Sequence, residues 1–333
     1  MKSLAALVAL ALSIAPAHAE SQTFFKGVTV SCQTWGTEWQ TPAMAQTLDE
    51  LKSLGANSVA IHPYARIEND GHVSFRTIDG NRHITVPLDW AWERGLSVML
   101  IPHIAYWGSR FSWRGEINFK TSEEWNRFFA DYETWIVQMA RIAESHHAGI
   151  FCVGLEFSHA QKFENRWRAI IAAVRMVYTG KLTYGANWNE YADVKFWDAL
   201  DYIGTLAYFP LTKTNNPGAA EIAAGWERQC AELEKFSQAN GGKQFIFTEV
   251  GYNESARAAA EPFGFKTGGE HAVEIQARCI DVALGLSGKH QFLAGMFWWK
   301  WFPELPSEEK EDFGLQTPGI KALIAKHWGA GRP

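Results

Sequence analysis

The feature that most restricts the fold of this chain is a repeat of form: short apolar runs alternate with amphipathic segments. Read as strands, the runs are 25–32 (FKGVTVSC), 58–64 (SVAIHPY), 97–104 (SVMLIPHI), 150–157 (IFCVGLEF), 181–188 (KLTYGANW), 202–209 (YIGTLAYF), 244–251 (QFIFTEVG) and 293–301 (LAGMFWWKW). Their β-branched and aromatic content suits buried strands. The segments between them carry helix signals. One starts at Thr41 with Pro42 at the first helical position and stops at Gly55. Another opens on a Thr121 or Ser122 cap, and a third ends at the Gly241–Gly242 pair. Eight strand-then-helix units with no Pro/Ser/Gly linker specify a (β/α)8 TIM barrel, one catalytic domain over 20–333. The alternative, an open doubly wound sheet, lacks a glycine-rich phosphate loop after its first strand.

The first 19 residues read as a secretory signal peptide. Lys2 is followed by an apolar run from Leu4 to Ile14, then Pro16 and an Ala17-His18-Ala19 cleavage site. The run is short for a bilayer span. The expected location is therefore secreted or periplasmic, with no membrane contact after cleavage. The formal charge of −5 argues against a nucleic-acid partner. The chain holds 16 Trp, 21 Phe and 9 Tyr. Most fill a large core, but flat rings also match the C–H face of a sugar. Of the four cysteines, Cys32 and Cys152 lie in strand runs. Cys230 and Cys279 lie in helical patterns and can pair only if those helices are neighbours. No CxxC or HExxH spacing points to a metal, and no cofactor is expected.

In such a barrel function gathers at the C-terminal strand ends. Those ends hold Trp35, His62, His103, Glu156, Asn187, Tyr208, Glu249, Trp298 and Trp299. Glu156 and Glu249 sit in otherwise apolar strands, where an unpaired carboxylate is costly. By strict alternation Glu156 shares a face with Cys152 and Gly154, and Glu249 with Phe245 and Phe247. Two carboxylates facing each other across a barrel mouth suit glycoside hydrolysis, one as acid and the other as nucleophile or base. The competing reading of each is a rim salt bridge to Arg or Lys. Tyr208 can donate to the nucleophile. His62, His103 and Asn187 can contact sugar hydroxyls, or the histidines can be hydrogen-bonded inside the barrel. Arg66 can orient a carboxylate or be a solvated loop charge. Trp298 and Trp299 point to opposite faces, so at most one floors the site while the other packs against a helix. Trp35, Trp39 and the 107–116 segment are candidates for outer aromatic subsites.

A Glu ending strand four, a Thr-Glu ending strand seven and a Trp-rich strand eight resemble the clan A glycoside hydrolases. The stretches FCVGLEFS, LTYGANWNEY, FWDALDYIGTLAYFPL and FTEVGY together resemble glycoside hydrolase family 113, whose known activity is mainly β-1,4-mannanase. The resemblance runs over almost the whole chain after the leader. It implies a retaining mechanism with Glu156 as acid/base and Glu249 as nucleophile. Pocket roles for Tyr208, Asn187 and a strand-eight Trp are implied as well. Leu155 stands where many clan members have an Asn that contacts the sugar 2-hydroxyl, so that contact must come from elsewhere.

The expected protein is a monomeric, exported, retaining β-glycoside hydrolase acting on β-1,4-mannan or manno-oligosaccharides. Its rivals are the same machinery on another β-linked glycan and a sugar-binding barrel without catalysis. A metal-dependent hydrolase using His62 and His103 lacks further ligands at metal-site spacing.

Overall fold

The computed structural model describes residues 23–305 and 313–329. The leader reading over 1–19 lies outside the described residues. Eleven strands are present: β1 (Phe25–Val30), β2 (Ser58–Ile61), β3 (Tyr64–Ile67), β4 (Val73–Ser74), β5 (Ser97–Leu100), β6 (His103–Ala105), β7 (Ile150–Leu155), β8 (Lys181–Asn187), β9 (Ile203–Leu206), β10 (Phe245–Val250) and β11 (Leu293–Trp301). Eight of them close a parallel barrel in the order β1-β11-β10-β9-β8-β7-β5-β2. These are the eight runs read from the sequence. The tails of the second and third runs leave the barrel. With β4, they form a separate three-stranded sheet, β4-β3-β6, beyond the ends of β2 and β5.

Seven α-helices are described: α1 (Pro42–Ser53), α2 (Arg82–Glu93), α3 (Ser122–Ser145), α4 (Glu164–Arg175), α5 (Ala219–Ala239), α6 (Ala272–Leu284) and α7 (Pro318–Trp328). Pro42 opens α1 and Gly55, at φ +94°, turns the chain after it. At α3 the capping choice resolves to Thr121. Its hydroxyl accepts from the Glu124 amide at 3.2 Å, while the Glu124 carboxylate accepts from the Thr121 amide at 3.0 Å. The fifth unit departs from the expected pattern. Between β8 and β9 there is no α-helix, only two short 3₁₀ turns, Tyr191–Asp193 and Trp197–Ala199. Phe196 and Trp197 are buried there, with Phe196 stacked 5.8 Å from Trp167 of α4. Aromatic rings occupy the volume a helix would have filled.

Two cores follow. Ala60, Met99, Cys152, Leu155, Ile246 and Phe297 belong to a small cluster inside the barrel, and a far larger cluster joins strands to helices. All four cysteines are free. Cys230 and Cys279 lie on the packed pair α5 and α6 and are buried there as small apolar groups.

Strict alternation fails at both glutamate strands. Opposite β8, Cys152 pairs with Thr183 but Leu155 with Gly185, an extra residue on β7. Opposite β9, Phe247 pairs with Thr205 but Glu249 with Leu206, an extra residue on β10. Each is a β-bulge, which re-aims the side chains after it. Cys152 faces the interior as expected, but Gly154 faces the helix layer. A Cβ there would stand 2.7 Å from the Trp167 ring. Phe245 and Phe247 do not lie beneath Glu249 either. They pack outward against Phe236 and Trp226 of α5. Glu249 reaches the mouth because the bulge turns it inward.

Candidate active site

Glu156 follows β7 directly, in the left-handed region at φ +59°. A non-glycine residue pays for that conformation and keeps it only where its surroundings impose it. The Glu156 amide donates to the Gly185 carbonyl at 2.8 Å. The next amide, of Phe157, donates to the Tyr184 hydroxyl at 3.3 Å. The Val153 carbonyl accepts from the Tyr132 hydroxyl at 2.9 Å. The bulge is thus held from both sides, and the Glu156 carboxylate is carried over the barrel mouth.

Glu249 is nearly buried at 5 % exposure. Its Oε2 accepts from the Tyr208 hydroxyl at 2.9 Å. Its Oε1 has no hydrogen-bond partner and faces His103 Nε2 at 3.9 Å, an atom that also lacks one. Burial, then the charge of Glu156, push the Glu249 carboxyl up to about 8, against the opposing pull of Arg114, the Tyr208 bond and Lys300. Burial and Glu249 push the Tyr208 phenol well above its usual range, so it stays a donor.

The residue absent from the sequence reading is Arg114, in a short 3₁₀ turn at Arg114–Glu116. Its Nε donates to Glu156 Oε2 at 2.9 Å and its NH2 lies 2.5 Å from the same oxygen. The guanidinium group thus fixes the Glu156 carboxylate at the mouth. Arg114 lies in the 107–116 segment, which was read only for its aromatics. No periodicity ties that loop to a glutamate 42 positions away.

The histidines form a ring stack rather than a hydrogen-bonded pair. His62 lies 4.7 Å from His103 at an interplanar angle of 20°, with Trp39 and Tyr64 edge-on to it. His62 is fully buried and neither of its ring nitrogens has a hydrogen-bond partner. Burial, Lys300 and Arg114 push its pKa down to about 3. Burial and the charge of Arg114 also push His103 well down, so both rings are neutral. His62 acts as packing beneath His103, and His103 is the one of the two that reaches Glu249.

On β11 the face is now decided. Trp299 is half-buried and stacks on His103 at 6.1 Å. Trp298 faces the other way, 1 % exposed in the barrel–helix core, and is no part of the site. The alternation that placed them on opposite faces excludes Trp298. Trp39 is likewise core, its indole donating to the Ser31 carbonyl at 3.2 Å. Trp35 stays at the mouth, edge-on to Tyr64 and Trp107, and Trp107 is 50 % exposed. Asn187 lies at the end of β8. Its amide donates to Ser158 Oγ and Glu190 Oε2, both at 3.1 Å.

Among the described residues no group of three or more His, Cys, Asp or Glu is placed to hold a metal ion. No described helix is long and apolar enough to cross a membrane.

Residues 28–314 match the model of Glycoside Hydrolase Family 113. Among solved structures, the chain is similar to a GH113 β-mannanase from Alicyclobacillus acidocaldarius in complex with ManMIm. The match has 25 % identity and a TM-score of 0.80, over 93 % of this chain and 98 % of that one. A complex of a GH113 β-1,4-mannanase matches with the same identity and TM-score over 93 % and 100 %. An endoglucanase, Cel5A, from Pseudomonas stutzeri shares the fold at 15 % identity and a TM-score of 0.55, over 91 % of this chain and 93 % of that chain. No curated protein sequence matches the chain.

Proposed function

Since the chain belongs to glycoside hydrolase family 113, we propose that it cleaves β-1,4-mannan or manno-oligosaccharides with retention, using Glu249 as nucleophile and Glu156 as acid/base. The observation that carries this reading is the asymmetry of Glu249. Tyr208 holds one oxygen while the other is unpartnered at the mouth. Oε2 is thus oriented by the phenol, while Oε1, buried and without a hydrogen-bond partner, has no competing contact to give up when it bonds to carbon. The β-mannanases similar to this chain support the substrate.

In the proposed cycle Glu156 gives its proton to the glycosidic oxygen as that bond to the anomeric carbon breaks. Glu249 Oε1 bonds to the anomeric carbon. Glu156 then removes a proton from water, whose oxygen displaces Glu249 and restores the carboxylate. In this reading Trp299, Trp35, His103 and Asn187 contact the sugars. Leu155 offers no polar atom, and His103 Nε2, buried beside Glu249 and without a hydrogen-bond partner, is the ring atom we assign to a sugar hydroxyl.

Burial favours protonated Glu249, whereas the first step uses it as a carboxylate, so Glu249 must give up its proton as substrate enters. The Arg114 pair also favours a second reading, a barrel that binds sugar without cleaving it. The proposed setting is exported, supported by the leader-like first 19 residues.

The deciding experiment incubates mannan, glucan and galactan with wild type and Glu249→Ala, following the first anomer released by NMR. Release of the β-anomer from mannan by wild type alone is expected. The α-anomer first would overturn retention. Equal activity of the two proteins would overturn the role of Glu249, and inert wild type would favour the binding barrel.

A further inference from the structure

A cleft of about 610 Å³ opens beside the barrel mouth, on the small β4-β3-β6 sheet. It does not contain the glutamates. It shares Trp35 and Tyr64 with the mouth, and Tyr64 lies edge-on to His103, which faces Glu249. The cleft is thus one ring removed from the reacting centre, within the span of a bound oligosaccharide.

Its chemistry differs from that of the mouth. Two guanidinium groups, Arg66 and Arg76, line it. Both are exposed, and among the described residues neither has a carboxylate within ion-pair distance. Arg66 lies 5.5 Å over the Trp35 ring, which holds its planar fork in place. Ser74, directly across the β3–β4 pair from Arg66, adds a hydroxyl, and Phe75 and Ile78 form an apolar wall. Glu68 is the one carboxylate in the lining, and burial keeps His83 neutral. The cleft is net positive on a chain whose formal charge is −5.

A neutral mannosyl unit offers these two guanidinium groups only uncharged hydroxyl acceptors, which leaves their charges without a partner. A sugar carrying a carboxylate or sulfate ester pairs with them bidentately and lays its C–H face on the apolar wall. We infer that this cleft is a subsite for an anionic glycosyl unit, so that the glycan this enzyme meets carries acidic sugars near the bond it cleaves. The inference deepens the proposed reading by naming the substrate class, and it rests on the mouth being where the glycan binds.

The test measures binding without turnover, by calorimetry on Glu249→Gln protein. The ligands are β-1,4-mannohexaose, the β-1,4-linked hexamannuronate with the same backbone, and sulfated mannohexaose. Hexamannuronate, the sulfated ligand or both are expected to bind about tenfold more tightly than mannohexaose. That preference should be lost in Arg76→Gln and in Arg66→Gln, while mannohexaose affinity changes less than twofold. The two charged ligands tell carboxylate from sulfate ester recognition. Equal binding of charged and neutral ligands would overturn the inference, as would a preference that survives both substitutions or an equal loss for all ligands. Wild-type hydrolysis of mannan is followed separately. If it is absent while the arginine-dependent preference persists, the mannanase reading fails and the anionic subsite stands.

Discussion

The two glutamate-bearing strand ends are built from the same side chain and the same device, a bulge near the barrel mouth, yet they meet different surroundings. After β7, Glu156 sits in a left-handed conformation with its carboxylate bound by Arg114. On β10, Glu249 keeps to the strand, almost buried, with a phenol on one oxygen and its pKa pushed up to about 8. One carboxylate faces a cation and the other is walled off from water. Two titrating groups whose surroundings differ this much can divide acid and nucleophile roles between them. The division proposed here requires Glu249 to be ionised when it attacks the sugar.

That comparison breaks most decisively at Glu249. Replacing it with Ala is expected to lower kcat on mannan by more than about 10⁴-fold, because no covalent intermediate can form. Reducing-end release measures it, and a loss under tenfold would remove Glu249 from the chemistry. Glu156→Gln is expected to lower kcat on mannan by about 10²–10⁴-fold. On an aryl β-mannoside with a good leaving group, the loss in the first step should nearly vanish. If Glu249→Gln shows this leaving-group dependence and Glu156→Gln does not, the roles are reversed.

A smaller effect is expected from Arg114→Ala. Arg114 pulls the Glu249 pKa down, so without it the limb of the pH profile of kcat/KM that Glu249 sets should move to higher pH by about one unit. Arg114→Lys should restore part of the shift. A profile that does not move would mean the Arg114 contact has no part in the working charge balance.

The smallest expected effect is on stability. Glu249 binds its proton more tightly folded than unfolded, so its contribution is lost as pH rises from the ordinary carboxylate range through about 8. Glu249→Gln should therefore raise Tm by about 2–4 °C at pH 8–9 and leave it nearly unchanged at pH 4. Equal shifts at both pH values would point to packing rather than to charge.

Much of the architecture was legible from the chain. All eight barrel strands were, because apolar runs of strand length are local patterns. The fifth unit was misread because Phe196 and Trp197 replace a helix with packed rings, and packing leaves no periodic trace. α2 carries no clear helix pattern in the sequence, since Pro87 inside it interrupts the usual signal. In the site, Glu156, Glu249, Tyr208 and Trp299 stood at strand ends where a barrel gathers its polar groups. Trp298 was excluded only once the facing direction of β11 was known. Arg114 and the small sheet were invisible, since a loop reaches a site without any repeat in the sequence, and Tyr64 ended the second strand run without any mark of its role.

The sequence by itself determined the barrel, its strand order and the two glutamates at its mouth, because alternation of apolar runs and amphipathic segments depends on near neighbours in the chain. The tertiary structure alone decided what those glutamates touch and which way they point. Two bulges break the strict alternation of strand faces. An arginine from one loop holds Glu156, and a phenol from just beyond another strand, with burial in the barrel, sets the proton affinity of Glu249. Such effects act through space over distances of a few ångströms, between residues dozens of positions apart.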